Sequence, residues 1–201
     1  MTNQIRLHGI PLSGHTHKIE LFLRLLDLPF DYVETPPDSW STAAFGELSP
    51  LRQIPVLEDG DVVLPDSNAI LVYLTQKYDP NGPWLPRDPL GAAQVQRWLS
   101  VSASEIRYGP ATARIIKLLG APGDLEAAQA TAHKLLAVME RRLAEAAWLV
   151  GGTITLADIA CYPYLACARD GGVDLSVYPA VEAWIARIEA LPRIKPMPRA
   201  A

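Results

Sequence analysis

The chain has 201 residues, 49% hydrophobic and 20% charged, enough apolar material for one large core or two small ones. Its formal net charge of −4 excludes a surface built to neutralise nucleic-acid phosphates, and no apolar run reaches the roughly 18–20 residues that span a bilayer. The opening MTNQIRLHG has no cationic segment followed by an apolar stretch, so the cytoplasm is the expected address.

Ile5-Arg6-Leu7-His8 reads as a short strand that ends before Gly9 and Pro11. From Thr16 to Leu28 the residues Ile19, Phe22, Leu23 and Leu26 recur at helical spacing, and Leu28-Pro29 stops the helix. Phe30 to Glu34 alternates in period two, as a half-buried strand does, and a short helix is expected near Ser41 to Leu48. Val56-Leu57-Glu58 and Val62-Val63-Leu64 flank Asp59-Gly60-Asp61, where glycine supplies the positive φ of a tight hairpin turn. A helix follows Pro65, with Ile70, Leu71, Leu74 and Tyr78 on one face. This order, βαβ then a short helix then ββα, predicts a mixed four-stranded sheet with one parallel pair and an antiparallel hairpin.

Asp79 to Pro89 holds four prolines in eleven residues and reads as a linker over 80–89, dividing an α/β half, 1–79, from an all-helical half, 90–201. Leu90 to Leu119 gives one long helical pattern, predicted to bend at Gly109-Pro110 because proline lacks an amide donor. Gly120 to Gly123 breaks it. Further helices are predicted over Asp124 to Ala147, from Thr155, and near Tyr178-Pro179, before an irregular proline-containing tail. Cys161 and Cys167 lie six apart, about 600 degrees of helical rotation, on opposed faces, and so read as buried free thiols. The five tryptophans read as packing residues.

Three segments can carry chemistry. In Pro11-Leu12-Ser13-Gly14-His15-Thr16-His17-Lys18 a strand ends and a helix begins. Ser13 there is either a helix cap or a hydroxyl that donates to a thiolate, helped by the positive end of the helix dipole. In Gln53-Ile54-Pro55-Val56 the proline either opens an edge strand in the trans form or, if cis, turns the Ile54 backbone outward toward an extended peptide. In Pro65-Asp66-Ser67-Asn68 a cap is certain to be needed. The same pair also suits an amino-acid head group, Ser67 with the helix amides taking a carboxylate and Asp66 an ammonium. His15 and His17 stand about 200 degrees apart on a helix, which is wrong for joint ligation, so no metal is expected.

These segments, in this order and spacing, resemble the cytosolic glutathione transferases over nearly the whole chain, in the serine-type, theta-, beta- or nu-like manner. The resembling residues are Pro11-Leu12-Ser13, Ser49 to Leu57, Leu64 to Ile70 and Tyr73-Leu74. Gly151 to Ile159 adds the family's capping box, with Thr155 and Asp158 as its partners and Ile154 stapling Ile159. The resemblance implies a thioredoxin-like N-terminal domain, an all-α C-terminal domain and a homodimer. It implies glutathione as co-substrate, conjugated to a hydrophobic electrophile, in a detoxification role. Ser13 would face the sulfur, Ile54 the cysteinyl backbone, and Asp66 and Ser67 the γ-glutamyl end. Arg52 and Gln53 would touch the glycyl or backbone parts, while Tyr108 and Arg114 would line the electrophile site. The chain lacks a tyrosine at the end of the first strand and a cysteine at position 13, which argues against the tyrosine-type and thiol-transferring classes. A non-catalytic scaffold of the same fold and a glutathione-dependent disulfide reductase or peroxidase are the alternatives. The joint presence of Ser13, Ile54-Pro55 and Asp66-Ser67 favours the transferase.

Overall fold

A computed structural model of the chain describes residues 4–198, so positions 199–201 of the expected helical half lie outside the described residues. The chain divides into two compact units, Met1–Gly82 and Pro83–Ala201.

The first unit runs β1 (Ile5–Gly9), α1 (Gly14–Leu25), β2 (Phe30–Glu34), a 3₁₀ turn (Pro37–Ser39), α2 (Ala43–Leu48), β3 (Val56–Asp59), β4 (Val62–Pro65) and α3 (Ser67–Tyr78). Its four strands form one sheet in the order β2-β1-β3-β4. β1 pairs with β2 in parallel, Ile5 opposite Phe30, and antiparallel with β3, where Leu7 faces Leu57. The hairpin pairs Asp59 with Val62, so only Gly60 and Asp61 form its loop. Leu7, Ile19, Phe22, Leu23, Leu57, Ile70, Leu71 and Leu74 are fully buried, the apolar stripes of α1 and α3 closing on the sheet. The contact of α1 with β1 depends on Gly9. A Cβ there would come within 2.2 Å of Thr16 Cγ2, closer than any side chain tolerates.

The second unit is helical: α4 (Pro89–Ala103), a π-turn (Arg107–Ala111), α5 (Thr112–Leu119), α6 (Leu125–Glu145), α7 (Leu156–Ala166), a 3₁₀ turn (Ala168–Gly171) and α8 (Pro179–Glu189). The pattern read as one bent helix over Leu90 to Leu119 is therefore two helices joined by a wider turn. Pro110 has no amide to offer, and the π-turn skips the missing bond while the Thr112 hydroxyl donates to the Arg107 carbonyl at 2.8 Å. Gly109 fixes this turn against α6, because a Cβ would lie 2.9 Å from the Ala132 amide nitrogen.

α7 is the centre of the unit, buried along its whole length. Its start is a complete capping box: Thr155 Oγ1 accepts from the Ala157 amide, and Asp158 Oδ2 accepts from the Thr155 amide at 2.9 Å. Asp158 Oδ1 also accepts from the Leu149 amide and from Trp184 Nε1, tying α7 to the preceding loop and to α8. Trp84, Trp98 and Trp184 are buried, and Cys161 and Cys167 are buried thiols in no disulfide among the described residues.

Candidate active site

Ser13 is the N-cap of α1. Its backbone is extended, its amide donates to the Ile10 carbonyl at 3.0 Å, and its Oγ accepts from the Thr16 amide at 3.2 Å. A serine hydroxyl that accepts one bond keeps its proton to donate, so capping and thiolate binding do not compete for the same part of the group. The first turn of α1 carries no acidic residue to offset the positive end of its dipole.

The Ile54–Pro55 peptide bond is cis. The β3 ladder begins at Val56, so the Ile54 backbone lies just outside it. Ser49 holds this loop from below, its Oγ accepting from the Gln53 amide at 3.0 Å and its carbonyl from the Arg52 amide at 2.8 Å. Arg52 adopts a φ of 54° and turns its guanidinium onto the chain ahead of α2, where Nη1 donates to the carbonyls of Trp40 at 2.7 Å and Thr42 at 2.9 Å. The segment between β2 and α2 is thereby strapped to the loop that precedes β3. Gln53 is exposed.

Asp66 caps α3 from a φ of 75°, a conformation that an L residue adopts at a cost. Its Oδ1 accepts from the amides of Asn68 and Ala69, both at 2.9 Å, and its Oδ2 has no partner among the described residues. Ser67 opens the helix and is buried. Beneath it lies Lys18, a residue the motif reading passed over. Its Nζ donates to Ser67 Oγ at 3.1 Å and to Asn68 Oδ1 at 2.9 Å. His15 Nδ1 is 3.4 Å from Ser67 Oγ. The start of α1 and the start of α3, some fifty residues apart in sequence, are thus joined through side chains. Nothing local marks Lys18 as buried, since one lysine beside the apolar stripe of a helix ordinarily reads as its solvated edge. His15 is half-buried against Ser67, and His17 is buried.

In the second unit the π-turn presents Tyr108 at 67% exposure, with the Arg107 guanidinium 6.0 Å from its ring centre. Arg114 differs from the expected wall position. It is 3% exposed, its Nε donates to Asp170 Oδ2 at 3.0 Å, and it joins α5 to the 3₁₀ turn after α7. The π-turn shifts the helical phase, which carries Ala113 and Arg114 onto the buried face.

Residues 7–83 match the family model described as Glutathione S-transferase, N-terminal domain, and residues 121–192 match Glutathione S-transferase, C-terminal domain. The chain belongs to the glutathione transferase family. Glutathione S-transferase theta-1 of Bos taurus is 31% identical, over 89% of this chain and 80% of that protein. A glutathione S-transferase from Pseudomonas fluorescens superposes with a TM-score of 0.90 at 35% identity, covering 96% of this chain and 98% of that one. A glutathione transferase homologue from Drosophila mojavensis, solved with bound glutathione, reaches a TM-score of 0.85 at 26% identity, over 94% and 89% of the two chains. The four-stranded unit is therefore the thioredoxin-like domain of a glutathione transferase and the helical unit its C-terminal domain. No helix among the described residues is long and apolar enough to cross a membrane.

Proposed function

We propose that this glutathione transferase conjugates the thiolate of glutathione to a hydrophobic electrophile, with Ser13 activating the sulfur. The observation that carries the reading is the placement, on one small domain, of a serine cap with a donatable proton, the Ile54 backbone at a cis bond and the Asp66-Ser67 pair at a helix start, which suits an amino-acid head group.

A thiol ionises near pH 8.5, and each unit of depression corresponds to about 1.4 kcal/mol of preference for the thiolate. The Ser13 hydroxyl donates to the sulfur while the α1 amides add their field, and together these supply about one to two units. The thiol proton leaves to solvent. The sulfur lone pair then forms the bond to the electrophilic carbon, and the electron pair of the bond that breaks departs with the leaving group. Holding both reactants in place removes much of the entropic cost of their encounter. Asp66 Oδ2 takes the γ-glutamyl ammonium, Ser67 its carboxylate, and the Ile54 backbone the cysteinyl peptide. Arg52 acts on glutathione at one remove, by holding the segment before α2, with Gln53 exposed beside it. Tyr108 offers aromatic surface to the electrophile. The homodimer, the cytoplasmic address and the detoxification role belong to this reading, the first checked by sedimentation against the 22.0 kDa chain mass.

Calorimetric titration of reduced glutathione into the wild type and Asp66→Ala tests it. Wild-type binding that weakens about tenfold or more in the variant is the expected outcome, as loss of a charge-assisted contact predicts. A folded wild type that binds no glutathione would overturn the reading.

A further inference from the structure

Lys18 stands in the second turn of α1, 1% exposed, with its ammonium beneath the first residues of α3. We propose that Lys18 is the positioning residue of the glutamyl pocket: acting through Ser67 and Asn68, it makes the α-carboxylate of the incoming peptide the feature the pocket selects. This rests on the reading above, in which the start of α3 receives the γ-glutamyl group of glutathione.

An ammonium only donates. When Nζ gives a proton to Ser67 Oγ, the hydroxyl must direct its own proton elsewhere, and the acceptors available to it are His15 Nδ1 or a bound anion. When Nζ gives a proton to Asn68 Oδ1, the side-chain amide is fixed with its oxygen toward the lysine and its NH2 turned away. One cation therefore orients two neighbouring polar groups at the head of α3, and an anion bound there competes with His15 for the Ser67 proton.

Its charge works in the same direction. Buried this deeply it is little screened by salt, and it adds to the positive end of the α3 dipole. Asp66, on the exposed side of the same turn, contributes the opposite charge. An amino-acid head group, carboxylate and ammonium on one carbon, then has a single favourable orientation: carboxylate toward Ser67 and Lys18, ammonium toward Asp66.

The helix itself does not call for the lysine. Asp66 alone satisfies the Asn68 and Ala69 amides at the start of α3. For packing between α1 and α3 an unbranched apolar side chain would serve without the several kcal/mol that desolvating an ammonium costs. Its bond to Ser67 Oγ places that cation beside the proposed seat of the carboxylate.

The experiment uses two ligands, glutathione and γ-aminobutyryl-cysteinylglycine, which lacks only the α-carboxylate. Calorimetry on the wild type, Lys18→Met and Lys18→Arg gives affinities for each, with circular dichroism to confirm the fold. The wild type is expected to prefer glutathione by about tenfold or more. Lys18→Met loses that preference because glutathione weakens while the analogue does not, and in turnover the loss falls on KM for glutathione rather than on kcat. Lys18→Arg, which keeps the charge and the donors, keeps the preference. If Lys18→Met does not fold, Lys18→Gln, which keeps the length and an amide donor but not the charge, carries the measurement. A preference unchanged in the uncharged variants overturns the proposal, and so does equal weakening of both ligands, which would mark the lysine as packing alone. A wild type that binds neither ligand overturns the glutathione reading itself, an outcome distinct from both.

Discussion

Asp59 ends β3 with three donors on a single carboxylate oxygen: Tyr78 Oη at 2.7 Å, Lys77 Nζ at 2.7 Å and Tyr73 Oη at 2.9 Å all reach Oδ2. Burial opposes ionisation of this carboxyl, but hydrogen bonds from Lys77, Tyr78 and Tyr73 outweigh it and hold the group below its usual range. A carboxyl whose folded pKa is depressed stabilises the fold above its unfolded value, about 3.9, and loses that contribution as the pH falls through the folded value. Asp59→Asn is therefore expected to cost about 1–2 kcal/mol at neutral pH, a figure reduced because the Lys77 side chain is 37% exposed. Below about pH 4 the difference between variant and wild type should shrink. Urea unfolding at pH 7 and at pH 3 checks both limbs, and a difference that stays constant between them would remove the linkage. The sequence shows Asp59 only as the first residue of a turn signal. Its three partners come from the last turns of α3, and that tertiary contact leaves no local trace.

Elements were legible wherever a local rule decides them. The Asp-Gly dipeptide placed the hairpin, alternation placed β2, and a threonine three residues before an aspartate placed the start of α7. Gly109-Pro110 placed the bend between α4 and α5, but its form as a π-turn separating two helices was not legible, because apolar periodicity continues across it and the turn packs on the Ala132 backbone of α6, which no local pattern records. The α7 cap also does more than the motif indicates. Beyond the Thr155 amide, Asp158 accepts from the Leu149 amide and Trp184 Nε1, so one side chain fastens a helix start, a loop and a neighbouring helix. Burial pushes the Asp158 carboxyl up while these donors pull it down, and the net direction is upward. Removing the carboxylate leaves buried donors unanswered, so Asp158→Ala is expected to destabilise the protein by about 3–5 kcal/mol. Asp158→Asn, which keeps the shape and one acceptor, should cost less. Thermal melts of the two variants check the order, and a loss for Asp158→Ala no larger than the ~1 kcal/mol of a single cap would reduce the network to ordinary capping.

At the scale of the molecule, net charge and proposed ligand have the same sign. The chain carries −4 overall, and glutathione, with two carboxylates and one ammonium, is an anion at neutral pH. Long-range electrostatics therefore oppose binding, and the proposed site answers with local attraction, from the helix starts and from Lys18. These two contributions respond differently to salt. Raising the ionic strength from about 0.01 M to about 1 M shortens the screening length from about 30 Å to about 3 Å. That removes the repulsion of distant surface charges but scarcely touches a cation buried to 1% exposure. The composition exposed half of this balance, the net charge, and the three motifs carry the proposed site. It could not show that Lys18 is buried, since a lysine at position 18 looks in the sequence like any surface lysine. The affinity for glutathione is accordingly expected to change by less than about threefold across that salt range, where a site held by exposed cations would weaken by about tenfold or more. Calorimetric titrations at the two ends of the range distinguish these cases. A steep loss of affinity with salt would move the carboxylate from Lys18 to exposed cationic groups, Arg52 first among them, and would return that residue to direct contact with glutathione.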